Sequence, residues 1–369
     1  MNPKTKVHII GIHGVPAKYG GLETFADFLC QNLGTKYDIT VYCNSSKYPR
    51  KTKEYFGAKL KYVPINASGF KGIFYDLFTY IHALTRTDII LYLSPVGSGF
   101  MTPLKFITGK KVIVNHGGLN EWEREKLNRI KQIWAKFNHR IASKFADINV
   151  VDNELYKNSL RENFKVESMV IRYGGDHAVI NSDFSKDLNE KYPFVNEKYA
   201  ISISRAQVDN NLHLVLESFE KFNNFKLVLL SNWGISEYGR KLKQKYAGHK
   251  NIIVLDNIYD KNELNFVRGN AYLYIHSHSR CGTAPTLVEA MSLKQPVIAF
   301  DVPTNRETTE NQAFFFKDSN SLVKVLEDIT TENIEENGRK MYSIASEKYT
   351  WEIISNQYSS LFEKVMMNK

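Results

Sequence analysis

The sequence predicts an α/β protein of two domains, each built around a parallel β-sheet. Short apolar runs alternate with helix-like segments along the chain, which is typical of parallel sheets covered by helices on both faces. The alternation restarts after a polar stretch near the middle, and no short-period repeat interrupts it. The length of 369 residues also suits two domains of ordinary size.

The first half of the chain contains a series of short apolar runs that we interpret as strands. They are Lys6–Ile10, Ile39–Tyr42, Ile89–Leu93, Val112–Val114 and Ile148–Val151. The glycine-rich loop Gly11–Gly21 follows the first strand. A helix is expected at Leu22–Leu33, because apolar residues recur there at helical spacing. We therefore expect an N-terminal domain over residues 1–175.

The second half repeats the alternation. Its predicted strands are Ala200–Ser204, Lys226–Leu230, Ile252–Leu255, Ala271–His276 and Pro296–Phe300. Its predicted helices are Leu212–Phe222, Tyr238–Tyr246, Glu263–Arg268 and Pro285–Leu293. The polar segment 176–198 is interpreted as a linker, and residues 199–350 as the C-terminal domain. A last helix, Trp351–Val365, lies in a segment 351–369 that we expect to return to the N-terminal domain.

The chain has the composition of a cytoplasmic protein. It contains an odd number of cysteines, Cys30, Cys43 and Cys281, and no CxxC pair, which fits a reducing compartment. No stretch reaches the roughly 18–20 apolar residues of a membrane span. Its start is short and polar and differs from a signal peptide.

The formal net charge of +10 points to an anionic partner. Composition alone leaves a nucleic acid, a phosphorylated ligand and an anionic lipid surface as candidates. The chain has no recognisable nucleic-acid-binding module, so we expect no nucleic acid.

The first candidate binding motif is GVPAKYGGLETF at residues 14–25, directly after the first strand. Gly20 and Gly21 permit close approach of a ligand to the backbone, and the start of the next helix offers free N–H groups to an anion. The alternative is a tight turn without a ligand. The motif lacks the register of GxGxxG, which disfavours a dinucleotide dehydrogenase.

A second candidate is Arg205, which follows a predicted buried strand. Ligands on open parallel sheets bind beyond the carboxyl ends of strands, and a guanidinium suits the oxygens of a diphosphate. The alternative is a surface salt bridge. Nearby, Asn210 and Asn211 are interpreted either as hydrogen-bond donors to the ligand or as caps of the next helix.

The third candidate, HSHSRCGTAPTLVEAM at residues 276–291, also leads from a strand into a helix. Amides near Thr283 and Ala284 are expected to point at a phosphate. Glu289 lies about one turn into the helix and can accept hydrogen bonds from two ribose hydroxyls. The alternative is an ordinary exposed helix glutamate. The segment Asp301–Glu307 follows the next strand and is interpreted either as part of the site or as a capped turn.

Together these segments resemble the family 4 glycosyltransferases, which have the GT-B fold of two Rossmann-like domains facing a cleft. The similarity is greatest to the bacterial rhamnosyltransferase-like subgroup of capsule and cell-wall polysaccharide synthesis. The resemblance extends over nearly the whole chain. The motifs that carry it are GVPAKYGGLETF (14–25), EWER (121–124), YGG (173–175), Asn210–Asn211, IYD (258–260), Tyr274–Met291 and YTW (349–351).

The resemblance implies a role for each of a set of residues. Catalytic roles fall to Arg205, Glu289 and His116. The donor and its diphosphate are assigned to Gly20, Gly21, Arg205, Asn211, Gly282, Thr283, Ala284 and Glu289. The nucleoside is assigned to Ile258, Tyr259 and Glu289, and the acceptor side to Tyr19, Glu23 and His116.

Several positions depart from the family pattern. Cys281 stands where the wider family has the first of two glutamates and the subgroup commonly has glycine, and Ala284 stands where the subgroup often has asparagine. Asn211 lies where many relatives have a lysine, so Arg205 is expected to hold the diphosphate with help from amides. The loop NHGGLN at 115–120 differs from the acidic version expected around His116.

The implied activity is transfer of a sugar from a nucleoside diphosphate sugar to a lipid-linked glycan, with retention of configuration and L-rhamnose from dTDP-rhamnose as the leading donor. The chain contains no Asp-x-Asp, so no metal and no other cofactor is expected. In retaining relatives the departing phosphate oxygen takes the acceptor proton, so no dedicated base is needed. The alternatives are a UDP-hexose donor, a non-catalytic sugar- or anion-binding module and a sugar-nucleotide epimerase.

An anionic membrane surface is a further expected partner, at the inner face of the plasma membrane. The segment Trp122–Phe145 intersperses basic residues among apolar ones, as in helices that lie on anionic bilayers. The basic residues are Arg124, Lys126, Arg129, Lys131, Lys136, Arg140 and Lys144, and the apolar ones Leu127, Ile130, Ile133, Trp134 and Phe137. The alternative is a surface helix with its apolar side buried. The aromatic run Phe74–Tyr80 is interpreted either as core or as a second membrane contact.

Overall fold

The computed structural model describes residues 3–18, 20–67, 69, 71–118, 121–123, 128–181 and 185–367. It divides into two compact units, one formed by Met1–Arg172 with Trp351–Lys369 and the other by Tyr173–Thr350. Each unit contains a predominantly parallel sheet whose strands alternate with helices along the chain. The prediction of an α/β fold with two parallel-sheet domains is confirmed.

In the described part of the first unit, eight strands form one sheet. They are β1 (Lys6–Ile10), β2 (Asp38–Asn44), β3 (Glu54–Tyr55), β4 (Ala58–Val63), β5 (Ile89–Leu93), β6 (Lys111–Asn115), β7 (Ile148–Val151) and β8 (Met169–Val170). The order across the sheet is β3-β4-β2-β1-β5-β6-β7-β8, and the pairing is parallel except between β3 and β4. All strands predicted in this half are present, three of them with the predicted bounds.

The second unit contains a sheet of six strands in its described residues. They are β9 (Tyr199–Ile203), β10 (Lys226–Ser231), β11 (Ile252–Asp256), β12 (Leu273–His276), β13 (Val297–Phe300) and β14 (Phe314–Phe316). The order is β11-β10-β9-β12-β13-β14, and every pair is parallel. Central strands are buried on both faces, so their runs of Val, Ile and Leu contribute about 1.5–3 kcal/mol per fully buried side chain.

Helices follow most of the strands. Those in the described residues are α1 (Gly21–Leu33), α2 (Lys71–Leu84), α3 (Lys105–Thr108), α4 (Arg129–Phe145), α5 (Glu154–Phe164), α6 (Lys186–Lys191), α7 (Leu212–Lys221), α8 (Glu237–Tyr246), α9 (Lys261–Gly269), α10 (Pro285–Ser292), α11 (Pro303–Thr308), α12 (Ser319–Asp328), α13 (Thr331–Lys348) and α14 (Trp351–Met367). Among them, none is long and apolar enough to cross a bilayer.

The last helix, α14, packs on the first unit through aromatic contacts. Trp351 stacks on Phe28 of α1 with ring centroids 4.5 Å apart, and Tyr358 meets Phe25 edge-on at 4.9 Å. The side-chain amide of Asn115, at the end of β6, donates to the Tyr358 hydroxyl at 2.8 Å. These contacts attach α14 to the sheet that contains β1.

The segment 176–198, which the sequence suggested as a linker, belongs to the second unit. The Tyr192 hydroxyl donates to Glu263 at 2.7 Å, and Phe194 meets Tyr199 of β9 edge-on at 5.4 Å. The linker prediction was therefore wrong for this segment. Its polar residues cover a packed surface, and its aromatic residues are buried beneath them.

Helix α4 turns its large apolar side chains outward. Its buried residues are Ala135, Asn138, His139, Ala142 and Ser143, which are mostly small or polar. Its exposed apolar residues are Ile130, Ile133, Trp134 and Phe137. The buried face is narrow because α4 lies directly on the backbone at Gly99, where a Cβ would be only 2.3 Å from the Asn138 carbonyl oxygen. The alternative in which this helix buries its apolar side is not supported.

The two sheets have corresponding switch points. β1 lies between β2 and β5, and β9 lies between β10 and β12, so successive strands are added on opposite sides of β1 and of β9. Ligands of doubly wound sheets bind beyond the carboxyl ends of such strands. In the first unit these ends carry loops 11–20 and 94–98, and in the second unit they carry loops 204–211 and 277–284.

Candidate functional site

The loop after β1 is held by a buried carboxylate, Glu23, in the first turn of α1. The His13 N–H donates to Glu23 Oε1 at 3.3 Å. Burial raises the pKa of Glu23, with backbone hydrogen bonds opposing the rise. Gly20 precedes the helix with φ of 93°, a conformation that favours glycine. The approach of a ligand to Gly20 and Gly21 stays a prediction, and Tyr19 lies outside the described residues.

His116 does not occupy the position predicted for a catalytic residue. Its imidazole is completely buried at the end of β6. Nε2 donates to the Asn149 side-chain oxygen at 2.9 Å, and Nδ1 lies 3.1 Å from His139 Nδ1. Burial lowers the pKa of His116 to about 4. Both ring nitrogens are engaged inside the first unit, so His116 contributes to the core, and the catalytic and acceptor-side role predicted for it stays a prediction.

Arg205 is the second residue after β9 and is exposed. Its carbonyl oxygen accepts from the Asn210 side-chain amide at 2.8 Å and from the Gln207 N–H at 2.7 Å, which closes a tight turn. In the part of the chain that the structure describes, the guanidinium forms no ion pair and no hydrogen bond. The alternative of a surface salt bridge is therefore not supported there, and the guanidinium has its donors available for an anion.

Asn211 has a different role from a helix cap. It is the residue before α7, with φ of 51°, but its side chain makes no capping hydrogen bond. Its side-chain amide donates instead to the Ser277 carbonyl at 3.1 Å. Asn211 therefore connects the start of α7 to the loop after β12, and its proposed contact with the diphosphate stays a prediction.

Loop 277–284 is fixed to the turn that contains Arg205. His278 Nε2 lies 2.8 Å from Ser204 Oγ, and Ser277 Oγ donates to the Asn210 carbonyl at 2.5 Å. Asn305 at α11 donates to the His278 carbonyl at 3.0 Å. The second and third candidate motifs thus lie side by side, and the Asp301–Glu307 segment supports them through Asn305.

The N-terminus of α10 is the predicted phosphate site. Ala284 precedes the helix without a side-chain cap, and Pro285 is its first residue. The first-turn N–H groups therefore lack a partner from a capping side chain. Gly282, Thr283 and Ala284 are themselves buried, so a phosphate would approach the margin of this loop. Their role in binding stays a prediction.

Glu289 on α10 is held by two cationic or polar groups of its own unit. Arg268 Nη1 donates to Oε2 at 2.7 Å, and His177 Nε2 lies 3.0 Å from Oε1. Burial raises the pKa of this carboxyl, but Arg268 and His177 outweigh burial and lower it to about 2. The alternative of an ordinary exposed glutamate is excluded by this arrangement. Each carboxylate oxygen has a further lone pair besides these contacts, and the ribose contact stays a prediction.

Sequence reasoning missed Arg268 and His177 as partners of Glu289. Arg268 is buried on α9, where Asn265 also accepts from it at 2.7 Å. His177 is brought near by Gly175, because a Cβ at Gly175 would be 2.4 Å from the Val288 carbonyl oxygen. The YGG motif was the signal, since only a glycine allows the chain to pass this close to α10.

The predicted nucleoside residues line a pocket beside β11. The pocket has a volume of about 310 Å³ and is bordered by Lys191, Tyr192, residues 255–259 and Glu263. Ile258 and Tyr259 are among its lining residues, and Tyr259 is 68% exposed, which leaves its ring free of packing. The nucleoside role of Ile258 and Tyr259 stays a prediction.

A cluster of metal-ligating side chains lies at the end of β12 and in the loop that follows it. One ligand atom from each of His276, His278 and Cys281 lies within 4.8 Å of the others. Its HxHxxC spacing differs from CxxC and from Asp-x-Asp, which the sequence lacks. The expectation that no metal is needed stays a prediction, and this cluster is a feature of the described residues that it did not anticipate.

Two family models match the chain. Residues 184–348 match "Glycosyl transferases group 1", and residues 4–176 match a domain of unknown function, DUF1972. None of the curated proteins compared matches the chain.

Solved structures share the fold over nearly the whole chain. Sucrose-phosphate synthase from Thermosynechococcus elongatus is 15% identical with a TM-score of 0.81, covering 99% of this chain and 100% of that one. HepE from Anabaena, solved with UDP-glucose, is 12% identical with a TM-score of 0.75, covering 98% and 100%. MnaA from S. aureus, solved with UDP, is 14% identical with a TM-score of 0.63, covering 96% and 95%.

At these identities the structural likeness shows the fold, which is that of GT-B glycosyltransferases. The sequence match adds the enzyme class, because residues 184–348 of the second unit match the glycosyl transferase model. The chain therefore carries a group 1 glycosyl transferase domain and is a nucleotide-sugar-dependent glycosyltransferase with the GT-B fold.

Proposed function

We propose that this glycosyltransferase transfers L-rhamnose from dTDP-rhamnose to a hydroxyl of a lipid-linked glycan, with retention of configuration, in bacterial surface polysaccharide synthesis. The observation that carries the transfer step is Arg205, whose guanidinium is exposed, positioned by a tight turn and without a partner among the described residues. The resemblance of the chain to the rhamnosyltransferase-like subgroup supports the donor.

The first chemical task is stabilisation of the departing nucleoside diphosphate. Arg205 supplies a permanent positive charge, and the N-terminus of α10, where Pro285 has no N–H, supplies the Thr286 N–H and the positive end of a helix dipole. His278 and Ser204 connect these two parts at 2.8 Å. Charge developing on the phosphate oxygens is then balanced without a metal ion, in keeping with the absence of Asp-x-Asp from the sequence.

Recognition of the nucleoside is assigned to Glu289, further along α10, and to the pocket beside β11. Glu289 is kept ionised by Arg268 and His177, so it remains an acceptor for two ribose hydroxyls at neutral pH. The base is assigned to the pocket beside Ile258 and Tyr259. HepE and MnaA were solved with UDP or UDP-glucose, which supports a nucleoside diphosphate sugar as the donor and keeps a UDP-hexose as the second candidate.

The acceptor hydroxyl is assigned to the N-terminal domain, at the loop after β1. Glu23 and Gly20 shape this loop, and our proposal gives no catalytic role to a side chain of the first unit. In a retaining reaction the departing phosphate oxygen takes the proton of the attacking hydroxyl on the same face. Arg205 would then position that oxygen as well as stabilise its charge.

The lipid part of the acceptor is assigned to a surface of the first unit that we call the apolar–basic face. Its exposed apolar side chains are Phe74, Phe78 and Ile81 on α2, Phe100, Phe106 and Ile107 around α3, and Ile130, Ile133, Trp134 and Phe137 on α4. Its exposed basic side chains are Arg129, Lys131, Lys136, Arg140 and Lys144. Helix α4 contains no acidic residue. This combination favours peripheral binding to an anionic bilayer, where the lipid-linked glycan would be located.

A donor screen tests the proposed reaction. The purified chain is incubated with dTDP-β-L-rhamnose or with UDP-hexoses and a polyprenyl-linked glycan acceptor, and the product is analysed by NMR. We expect the highest turnover with dTDP-rhamnose and a β-linked rhamnoside. An α-linked product would contradict retention. A strong preference for a UDP-sugar would contradict the donor, whereas weak side activity is expected, because an apolar pocket discriminates one hydroxyl by only about 1–3 kcal/mol.

A further inference from the structure

We infer that His276, His278 and Cys281 form a binding site for one zinc ion or a similar transition-metal ion. Their ligand atoms lie within 4.8 Å of one another in the loop after β12. This site goes beyond the proposed transfer reaction, which needs no metal.

The three side chains are held by different parts of the second unit. His276 is the last residue of β12 and is buried, with its Nε2 3.9 Å from Cys281 Sγ. His278 is held by Ser204 at the end of β9, and Cys281 Sγ lies 3.8 Å from the side-chain oxygen of Asn305 on α11. The strand and the neighbouring helices thus bring the ligands together before any ion binds.

The spacing is close to that of a tetrahedral zinc site. Zinc binds imidazole nitrogen at about 2.0–2.1 Å and thiolate sulfur at about 2.3 Å, so neighbouring ligand atoms lie about 3.4–3.7 Å apart. The separation of 3.9 Å between His276 and Cys281 requires only a small contraction. Two imidazoles and one thiolate suit zinc better than magnesium or calcium. Three protein ligands also leave a fourth position for water or another small ligand.

Cys281 is the thiol best placed for this chemistry. Cys30 and Cys43 are buried, whereas Cys281 is partly exposed. Burial raises the pKa of Cys30 and raises that of Cys43 to about 11, so neither thiol forms a thiolate readily at neutral pH. Metal binding at Cys281 would release the thiol proton to solvent and form the sulfur–zinc bond. The other two cysteines therefore serve as internal controls.

Zinc titration of the metal-free full-length protein tests the inference, with affinity measured by competition against a chromophoric chelator. We expect one zinc ion per chain, at least about tenfold weaker binding in Cys281→Ser and in His278→Gln, and no change in His249→Gln, a histidine outside the cluster. Cobalt, used as a spectroscopic probe, should give a thiolate charge-transfer band that Cys281→Ser removes.

Wild-type affinity weaker than millimolar, or equal affinity in wild type and Cys281→Ser, would overturn the site. Thermal unfolding without metal checks that each variant is folded. If Cys281→Ser fails this check, His278→Gln and protection of the wild-type Cys281 thiol from alkylation by zinc decide the question. Donor turnover does not enter this test, so the metal site and the proposed transfer reaction succeed or fail separately.

Discussion

Arg268 and Glu289 form a buried ion pair, with Nη1 2.7 Å from Oε2, on two helices that flank β12. His177 lies 3.0 Å from the other carboxylate oxygen. Glu289, which we propose to bind the ribose, therefore also connects α9, α10 and the His177 segment of the second unit. Changes at Glu289 should affect both nucleotide binding and stability, and each of these effects needs its own measurement.

Gly175→Ala should weaken nucleotide binding without touching any proposed ligand contact. Its Cβ would be 2.4 Å from the Val288 carbonyl oxygen and 2.8 Å from the Glu289 nitrogen, so α10 or the His177 segment must move. Overpacking of this kind costs about 1–3 kcal/mol. Calorimetry with a nucleoside diphosphate and thermal unfolding measure the two effects. Gly234→Ala is the matched control, because a Cβ there meets nothing within 4 Å. Equal nucleotide affinity and equal thermal stability of the two variants would contradict the tight packing at Gly175.

Acid should remove the stabilisation that Glu289 provides. Its pKa is lowered from 4.5 to about 2 in the folded protein, so the folded state is favoured above pH 4.5. That contribution is lost as the pH falls from about 4.5 to about 2, because the unfolded state binds the proton first. Urea unfolding at several pH values checks this for wild type and Glu289→Gln. The difference in unfolding free energy between them should shrink over this window. A constant difference would contradict the ion pair.

The strands of both sheets could be predicted because buried parallel strands are short and continuously apolar, as β1, β5 and β7 show. β4 was missed because it alternates lysines with apolar residues near the edge of the sheet. In the site, Arg205 could be found from its position after a strand.

The partners of Glu289 were not predicted from the sequence. The Arg268 and His177 contacts join segments distant in sequence, and the one local signal was the YGG motif, whose Gly175 lets the chain pass close to α10. The site role of His116 came from the family resemblance, and no sequence pattern shows the contacts with His139 and Asn149 that place its ring in the core of the first unit.

Transfer activity should survive chelation of divalent cations. The proposal relies on Arg205 and the amides of α10 to stabilise the diphosphate, and the sequence has no Asp-x-Asp. Turnover is measured with and without excess EDTA. Loss of turnover that magnesium or manganese restores would contradict metal-independent transfer. Loss that only zinc restores would instead indicate that the His276–His278–Cys281 cluster is required for activity.

Binding to anionic vesicles should depend on the apolar–basic face. Trp134→Ser with Phe137→Ser removes exposed apolar area, and added salt screens the basic residues within about 10 Å at 0.1 M. Both changes should lower co-sedimentation with vesicles that contain an anionic lipid. Ile235→Ser is the control, since Ile235 is an exposed apolar residue of the second unit. If co-sedimentation is unchanged by lipid charge, by salt and by the double substitution, the apolar–basic face does not bind the membrane.

The most direct test of the account is donor turnover by Arg205→Ala. Charge-assisted hydrogen bonds contribute about 1.5–3 kcal/mol, so a loss of roughly 10- to 150-fold in kcat/KM is expected if Arg205 binds the diphosphate. Arg240→Ala is the matched control, because Arg240 is an exposed arginine of the same unit that donates to the Gly234 carbonyl. Nucleotide release is measured for wild type and both variants after thermal unfolding has shown that each is folded. The account predicts a large loss in Arg205→Ala and near-normal turnover in Arg240→Ala, and near-normal turnover in folded Arg205→Ala would contradict it.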